Sequence, residues 1–215
     1  MDLSYLKNLS RDQITDLAEK GDVYAQLELV DKFRAEVLMM QALSGKFNFD
    51  PDTLAGKMVS DYLYWLHRAC EHDISETREA QFELGEIYYF GRHMQKQDRY
   101  IAACLFDQSA RQGYAPAQVQ YARCVLDGDA ERNNDIDLQG SGWRQALRES
   151  VAFRLFQLAA EQNDTMGLIY MGACYADGIG VNADMEKAKE WFIKAARNGS
   201  KEAKLILKKD FGIYL

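Results

Sequence analysis

Apolar residues in this chain fall at helical rather than alternating intervals, and the spacing recurs. In AKEWFIKAARNG (188–199), an aromatic pair, Trp191 and Phe192, is followed by the small pair Ala195 and Ala196 and closed by Gly199. Aligned on that stretch lie AACLFDQSARQG (102–113), AFRLFQLAAEQN (152–163) and YLYWLHRACEHD (62–73), with Leu105–Phe106, Leu155–Phe156 and Trp65–Leu66 as the large pairs. Large residues followed by small ones at a helical period are what closely stacked helices require. The closing positions are Gly199, Gly113, Asn163 and Asp73, residue types expected to turn the chain left-handed at a helix end.

A second helix precedes each of these. It starts from a small anchor, Ala25, Ala80, Ala117, Gly167 or Ala203, and continues through matching positions. Leu84, Gly85, Tyr88 and Gly91 align with Tyr121, Ala122, Val125 and Gly128, and with Met171, Gly172, Tyr175 and Gly178. The last four anchors are 37, 50 and 36 residues apart, so a unit of about 36 residues carries an insertion. The 55 residues from Ala25 to Ala80 imply another. The pattern predicts one helical-repeat domain over 1–215, with units near 12–73, 74–113, 114–163 and 164–199, a capping helix at 200–215, and insertions near 35–60 and 128–146.

Between Tyr175 and Trp191, Gly178 and Gly180 suit a tight reversal, and Asp184 is placed to cap the next helix through its carboxylate. Gly85 and Gly172, mid-helix at about 1 kcal/mol each against alanine, predict close helix approach. Asp50 and Pro51 suggest the cap and first turn of a lengthened helix in the first insertion. Met39, Met40 and Leu43 are expected to pack in the core.

The pattern A-x-x-x-L-G-x-x-Y-x-x-G, a loop, then D-x-x-K-A-x-x-W-F-x-K-A-A-x-x-G resembles the Sel-one-like repeat, a relative of the tetratricopeptide repeat. Gly167–Gly199 fits it closely and Ala80–Gly113 fits well. The resemblance implies an all-α superhelix, a solenoid of stacked antiparallel helix pairs that hold extended peptides or partner helices on their concave side. By register with such relatives, groove positions are Phe82, Glu86 and Tyr89, then Val119, Arg123 and Leu126, then Ile169, Ala173 and Ala176. Tyr89 and Arg123 are residue types that often dominate interface energetics.

Composition narrows the chemistry. The net charge of −7 opposes binding to nucleic acid or an anionic membrane, and no apolar run is long enough to span a bilayer. The amino-terminal residues lack a secretory pattern, which predicts a cytoplasmic protein. Cys70, Cys104, Cys124 and Cys174 stand singly, as small buried residues of a reduced core rather than a disulfide or metal set. The three histidines, His67, His72 and His93, lack the i, i+4 spacing of a helical metal pair. Asp127, Asp129, Glu131, Asn133, Asp135 and Asp137 alternate like a calcium loop, but Arg132 stands where the turn glycine belongs and Leu138 where the bidentate glutamate belongs.

The expectation is therefore a non-catalytic interaction module without cofactor or metal, an adaptor or scaffold for a peptide or protein, as in many bacterial and eukaryotic relatives. The alternative is a dedicated immunity or inhibitor protein neutralising one toxin or enzyme. Phe211, Ile213, Tyr214 and Leu215 suggest either capping of the last hairpin or homo-oligomerisation through the carboxy-terminal end.

Overall fold

In the computed structural model, residues 5–45, 49–131 and 142–214 are described, together with the backbone but not the side chains of 142 and 143. Ten α-helices run through them: α1 (Arg11–Glu19), α2 (Val23–Ser44), α3 (Leu54–Cys70), α4 (Arg78–Phe90), α5 (Arg99–Arg111), α6 (Ala115–Asp127), α7 (Gly142–Glu161), α8 (Thr165–Asp177), α9 (Met185–Arg197) and α10 (Lys201–Phe211). No strand occurs among the described residues. The fold is the expected all-α repeat class, a solenoid type built from helix pairs. Two compact units divide within α5, between Gln108 and Ser109.

In the first unit, α1, α2, α3 and α4 pack each against the next around Ile14, Leu29, Tyr62, Leu66 and Leu84. In the second, α6 to α10 do the same around Ala122, Phe156, Met171, Phe192 and Leu207. The anchors Ala25, Ala80, Ala117 and Ala203 are all buried, and a Cβ on Gly167 would stand 2.7 Å from the backbone nitrogen of Ala160. Small residues recur there because the preceding helix leaves no room for larger ones.

Caps begin most first helices. Asp22 accepts from the amides of Tyr24 and Ala25, Asp164 from Gly167 and Ser200 from Ala203. Asp184 accepts from Lys187 at 3.0 Å, and that bond holds its carboxyl below the usual range. Gly178 and Gly180 turn left-handed, at φ 75° and 68°. Asn163 does so at φ 59°, where the Asn198 side chain donates to its carbonyl at 2.8 Å and ties the end of α9 to the start of α8. Asp73 departs from the expected closure. It is not left-handed, because α3 ends at Cys70 and a short 3-10 turn over Ser75–Thr77 makes the connection.

A further recurrence is invisible to hydrophobic pattern alone. The residue after each of the first three anchors is a buried glutamine that reaches the last turn of the preceding helix or the turn beyond it. Gln26 Nε2 donates to the Ala18 carbonyl at 3.0 Å, Gln81 Nε2 to His72 at 3.1 Å and Gln118 Nε2 to Ala110 at 3.4 Å. Each of these carbonyls also accepts from a residue nearby in sequence, Ala18 from the Gly21 amide, His72 from the Thr77 hydroxyl and Ala110 from the Gly113 amide, so the glutamine fills a second lone pair.

Other expectations are corrected by the structure. The cap of α3 is Thr53, whose hydroxyl accepts from Gly56 at 3.1 Å, while Asp50 closes the preceding turn by accepting from Thr53 through its carbonyl. Met39 and Leu43 are exposed rather than in the core, because α2 has 22 residues and outruns its neighbours. Cys124 and Cys174 are buried and Cys70 is half-buried, but Cys104 is exposed on α5.

Candidate protein-binding face

On α4, Phe82, Glu86 and Tyr89 follow one another at helical spacing and are all half-buried. Their position is fixed from below by Gly85, where a Cβ would stand 2.6 Å from Cε1 of Phe106. The Phe106 ring thereby lies against α4, with its centroid 5.5 Å from Phe82 and 6.2 Å from Tyr89. Glu86 is close enough to the packed surface that burial pushes its carboxyl up, against the opposing pull of Arg92.

The sequence reading missed three residues beside them. Phe90 is 49% exposed and meets Tyr89 edge-on at 5.0 Å. The Arg92 guanidinium lies 4.4 Å over the Phe90 ring, and that of Arg99 lies 5.1 Å over Tyr89. The two aromatics thus lie side by side between two arginines along one edge of the first unit. The turn that brings them together passes through His93 and Met94, left-handed at φ 53° and 64°. Its sequence, FGRHMQKQDR, replaces the G-x-G-V loop of the best-fitting unit, and that departure was the available signal.

Two turns before Phe90, on the same side of α4, Glu83 gathers a polar cluster. Arg34 donates to it through Nε at 2.9 Å and Nη2 at 2.5 Å, and the Tyr62 hydroxyl donates at 2.5 Å. Burial, with the Glu83 carboxylate adding to it, pushes the Tyr62 phenol far above its ordinary value. The cluster pins α2, α3 and α4 together, so the face on α4 rests on a rigid support. Tyr88, the repeat-signature tyrosine, points elsewhere, its hydroxyl 3.3 Å from Nε2 of His67.

In the second unit the expected positions divide. Val119 and Ile169 are only 4% and 6% exposed, so as surface residues they are corrected: both fill the space between helices. Leu126 packs half-buried on the same core. Arg123 is half-buried and donates to Gln120 Oε1 at 2.9 Å on its own helix. Ala173 and Ala176 are half-buried and offer little surface. The signature residues there serve packing: Ala195 and Ala196 are buried, Trp191 carries Lys194 4.0 Å over its ring, and Tyr175 meets Phe153 edge-on.

Of the acidic insertion, Asn133, Asp135 and Asp137 lie outside the described residues. Glu131 accepts from Arg148 at 2.8 and 3.0 Å and from Arg144 at 3.3 Å, and these guanidiniums hold its carboxyl below the usual range. Among the described residues no cluster of His, Cys, Asp and Glu is placed to hold a metal, and no helix is long and apolar enough to cross a membrane.

Comparison with known proteins agrees with the repeat pattern. The Sel1 repeat family model matches residues 63–73, 78–114, 147–164 and 165–200. Chitin synthase regulatory factor 3 of Schizosaccharomyces pombe is 27% identical over 213 residues, covering 84% of this chain but 21% of its own length. The chain thus spans about a fifth of that curated relative. Among solved structures, a protective antigen of uropathogenic Escherichia coli displaying an SLR fold aligns with TM-score 0.65 and 24% identity, over 96% of this chain and 38% of that one. A Sel1 repeat protein from Oxalobacter formigenes aligns with TM-score 0.61 and 18% identity, over 92% and 66%.

Proposed function

This chain is a Sel1-like repeat protein, and on that premise we propose that it is a non-catalytic adaptor whose α4 face in the first unit binds a segment of another protein. Sel1 repeat proteins are generally protein-interaction modules. The observation that carries the reading is the edge formed by Tyr89, Phe90, Arg92 and Arg99. Aromatic rings with guanidiniums stacked on them offer apolar area and charge at low cost in side-chain freedom, and Tyr and Arg are enriched where binding energy concentrates. Such an edge suits an extended or helical segment carrying carboxylates beside an apolar anchor. That chemistry favours an acidic binding segment, whereas the inhibitor reading rests on the chain's net charge of −7 and a basic partner.

Selection from a displayed peptide library tests this. Acidic, apolar-anchored sequences should be enriched, and their binding should fall at least tenfold in Phe90→Ala with Arg92→Glu. Phe90 and Arg92 are exposed, so circular dichroism should be unchanged in that variant. Selected peptides that bind the double variant as tightly as the parent would remove this face from the function.

A further inference from the structure

The helix α10 occupies the place of a first helix in the repeat, yet the face carrying its second and fifth residues after the anchor differs from the same face of α4, α6 and α8. Two residues after the anchor stand Phe82, Val119, Ile169 and Leu205. The first is half-buried against Phe106 and the next two are buried, but Leu205 is 66% exposed. Five residues after the anchor stand Gly85, Ala122, Gly172 and Lys208. Where Gly85 and Gly172 admit a phenylalanine ring at contact distance, Lys208 keeps any covering helix further out and offers it a charge.

Lys201, Lys204, Leu205 and Lys208 therefore share one face at i, i+3, i+4 and i+7, with the three lysines exposed. The segment Met185–Leu215 carries eight Lys and Arg against four Asp and Glu, in a chain with 26 of the former and 33 of the latter. At the other end, α1 buries Ile14 and Ala18 and turns Asp12, Asp16 and Glu19 outward. Among the described residues none of these six charged side chains is in an ion pair; Lys208 lies 5.5 Å over the Tyr214 ring. The carboxylates are spaced by four and three residues, and the lysines by three and four. In antiparallel alignment the two rows coincide.

We propose that α10 of one copy of this chain docks antiparallel on α1 of a second copy, placing Lys208 opposite Asp12, Lys204 opposite Asp16 and Lys201 opposite Glu19, and covering Leu205. The contact joins two different surfaces, so it either closes reciprocally between two copies or continues along a row. Exposed ion pairs are individually weak and screened by salt, so the association is weak and vanishes at high ionic strength. Phe211 and Ile213 do not take part, because both pack on the core of the second unit.

Sedimentation equilibrium of the full chain tests this. At about 20 mM salt, where screening is long-ranged, the weight-average mass should climb above the monomer's with concentration, and at about 500 mM it should return to it. Lys204→Glu and Asp16→Lys should each weaken association at least tenfold, while Lys57→Glu, on an exposed part of α3, should leave it unchanged. The decisive sample is an equimolar mixture of Lys204→Glu and Asp16→Lys chains. Each alone should be monomeric, and the mixture should form a one-to-one complex, because opposite charges again face each other. A mixture that stays monomeric overturns the proposal. So does a parent chain that is monomeric at low salt up to about 500 µM, which would leave the α10 face to an acidic helix of another protein.

Discussion

Gly172 on α8 lies under the ring of Phe192 on α9 so closely that a Cβ would stand 2.6 Å from its Cε1 atom. Gly85 and Phe106 repeat the relationship in the first unit at the same distance. Alanine in place of a mid-helix glycine ordinarily gains about 1 kcal/mol. Here overpacking of about 1–3 kcal/mol opposes that gain. Gly172→Ala should therefore destabilise the protein by about 1 kcal/mol in urea unfolding. With Phe192→Leu already present, the same substitution should become neutral or stabilising. A gain in stability from Gly172→Ala alone would show that the ring moves aside without cost.

The buried glutamines are expected to matter through the carbonyls they reach. Gln118 donates to Ala110 and accepts from Gln162 Nε2 at 3.0 Å, so Gln118→Leu removes two hydrogen bonds, although the Ala110 carbonyl keeps the Gly113 amide and Gln162 Nε2 keeps the Leu158 carbonyl. The loss should be about 1 kcal/mol, although leucine is the more apolar residue. Denaturant unfolding of the variant checks the sign, and an unchanged midpoint would mean that water replaces the glutamine.

Alkali should weaken the first unit through Tyr62. Its phenol is raised above the ordinary 10.0 by burial and by Glu83, so the folded chain holds that proton where the unfolded chain releases it. This contribution is complete below pH 10 and is lost as pH climbs from there towards the folded value. Over that window stability should fall by about 1.4 kcal/mol per pH unit from this group. Tyr62→Phe should be less stable at neutral pH, having lost the bond to Glu83, and should show a shallower decline above pH 10. Parallel curves for the two proteins would remove Tyr62 as the source.

The cysteines should separate by reactivity. Burial pushes the Cys174 thiol up to about 12, and Cys124 is equally enclosed, whereas Cys104 is exposed. A thiol reagent at pH 8 should modify Cys104 in the native protein and reach Cys124 and Cys174 only after denaturant is added. Mass spectrometry of the labelled peptides reads this directly, and early labelling of Cys174 would point to opening of α8.

What could be read from the chain alone was whatever depends on local repetition. The anchors Ala25 to Ala203, the glycines opposite Phe106 and Phe192, and the cap Asp184 each act through neighbours at fixed helical offsets, so pattern sufficed for the helix pairs and their packing. Even the buried glutamines were legible as a thrice-repeated Ala-Gln, although hydrophobicity hides them.

Exposure was decided only by tertiary structure. Val119 and Ile169 occupy the same register as Phe82 and Leu205, yet the first two are buried, the third is half-buried and the last is open, because accessibility depends on which helix lies above. The edge formed by Phe90, Arg92 and Arg99 arises where a left-handed turn at His93 and Met94 folds distant side chains together. Periodicity determines which residues of a helix point the same way, while only the packed neighbours determine whether anything covers them.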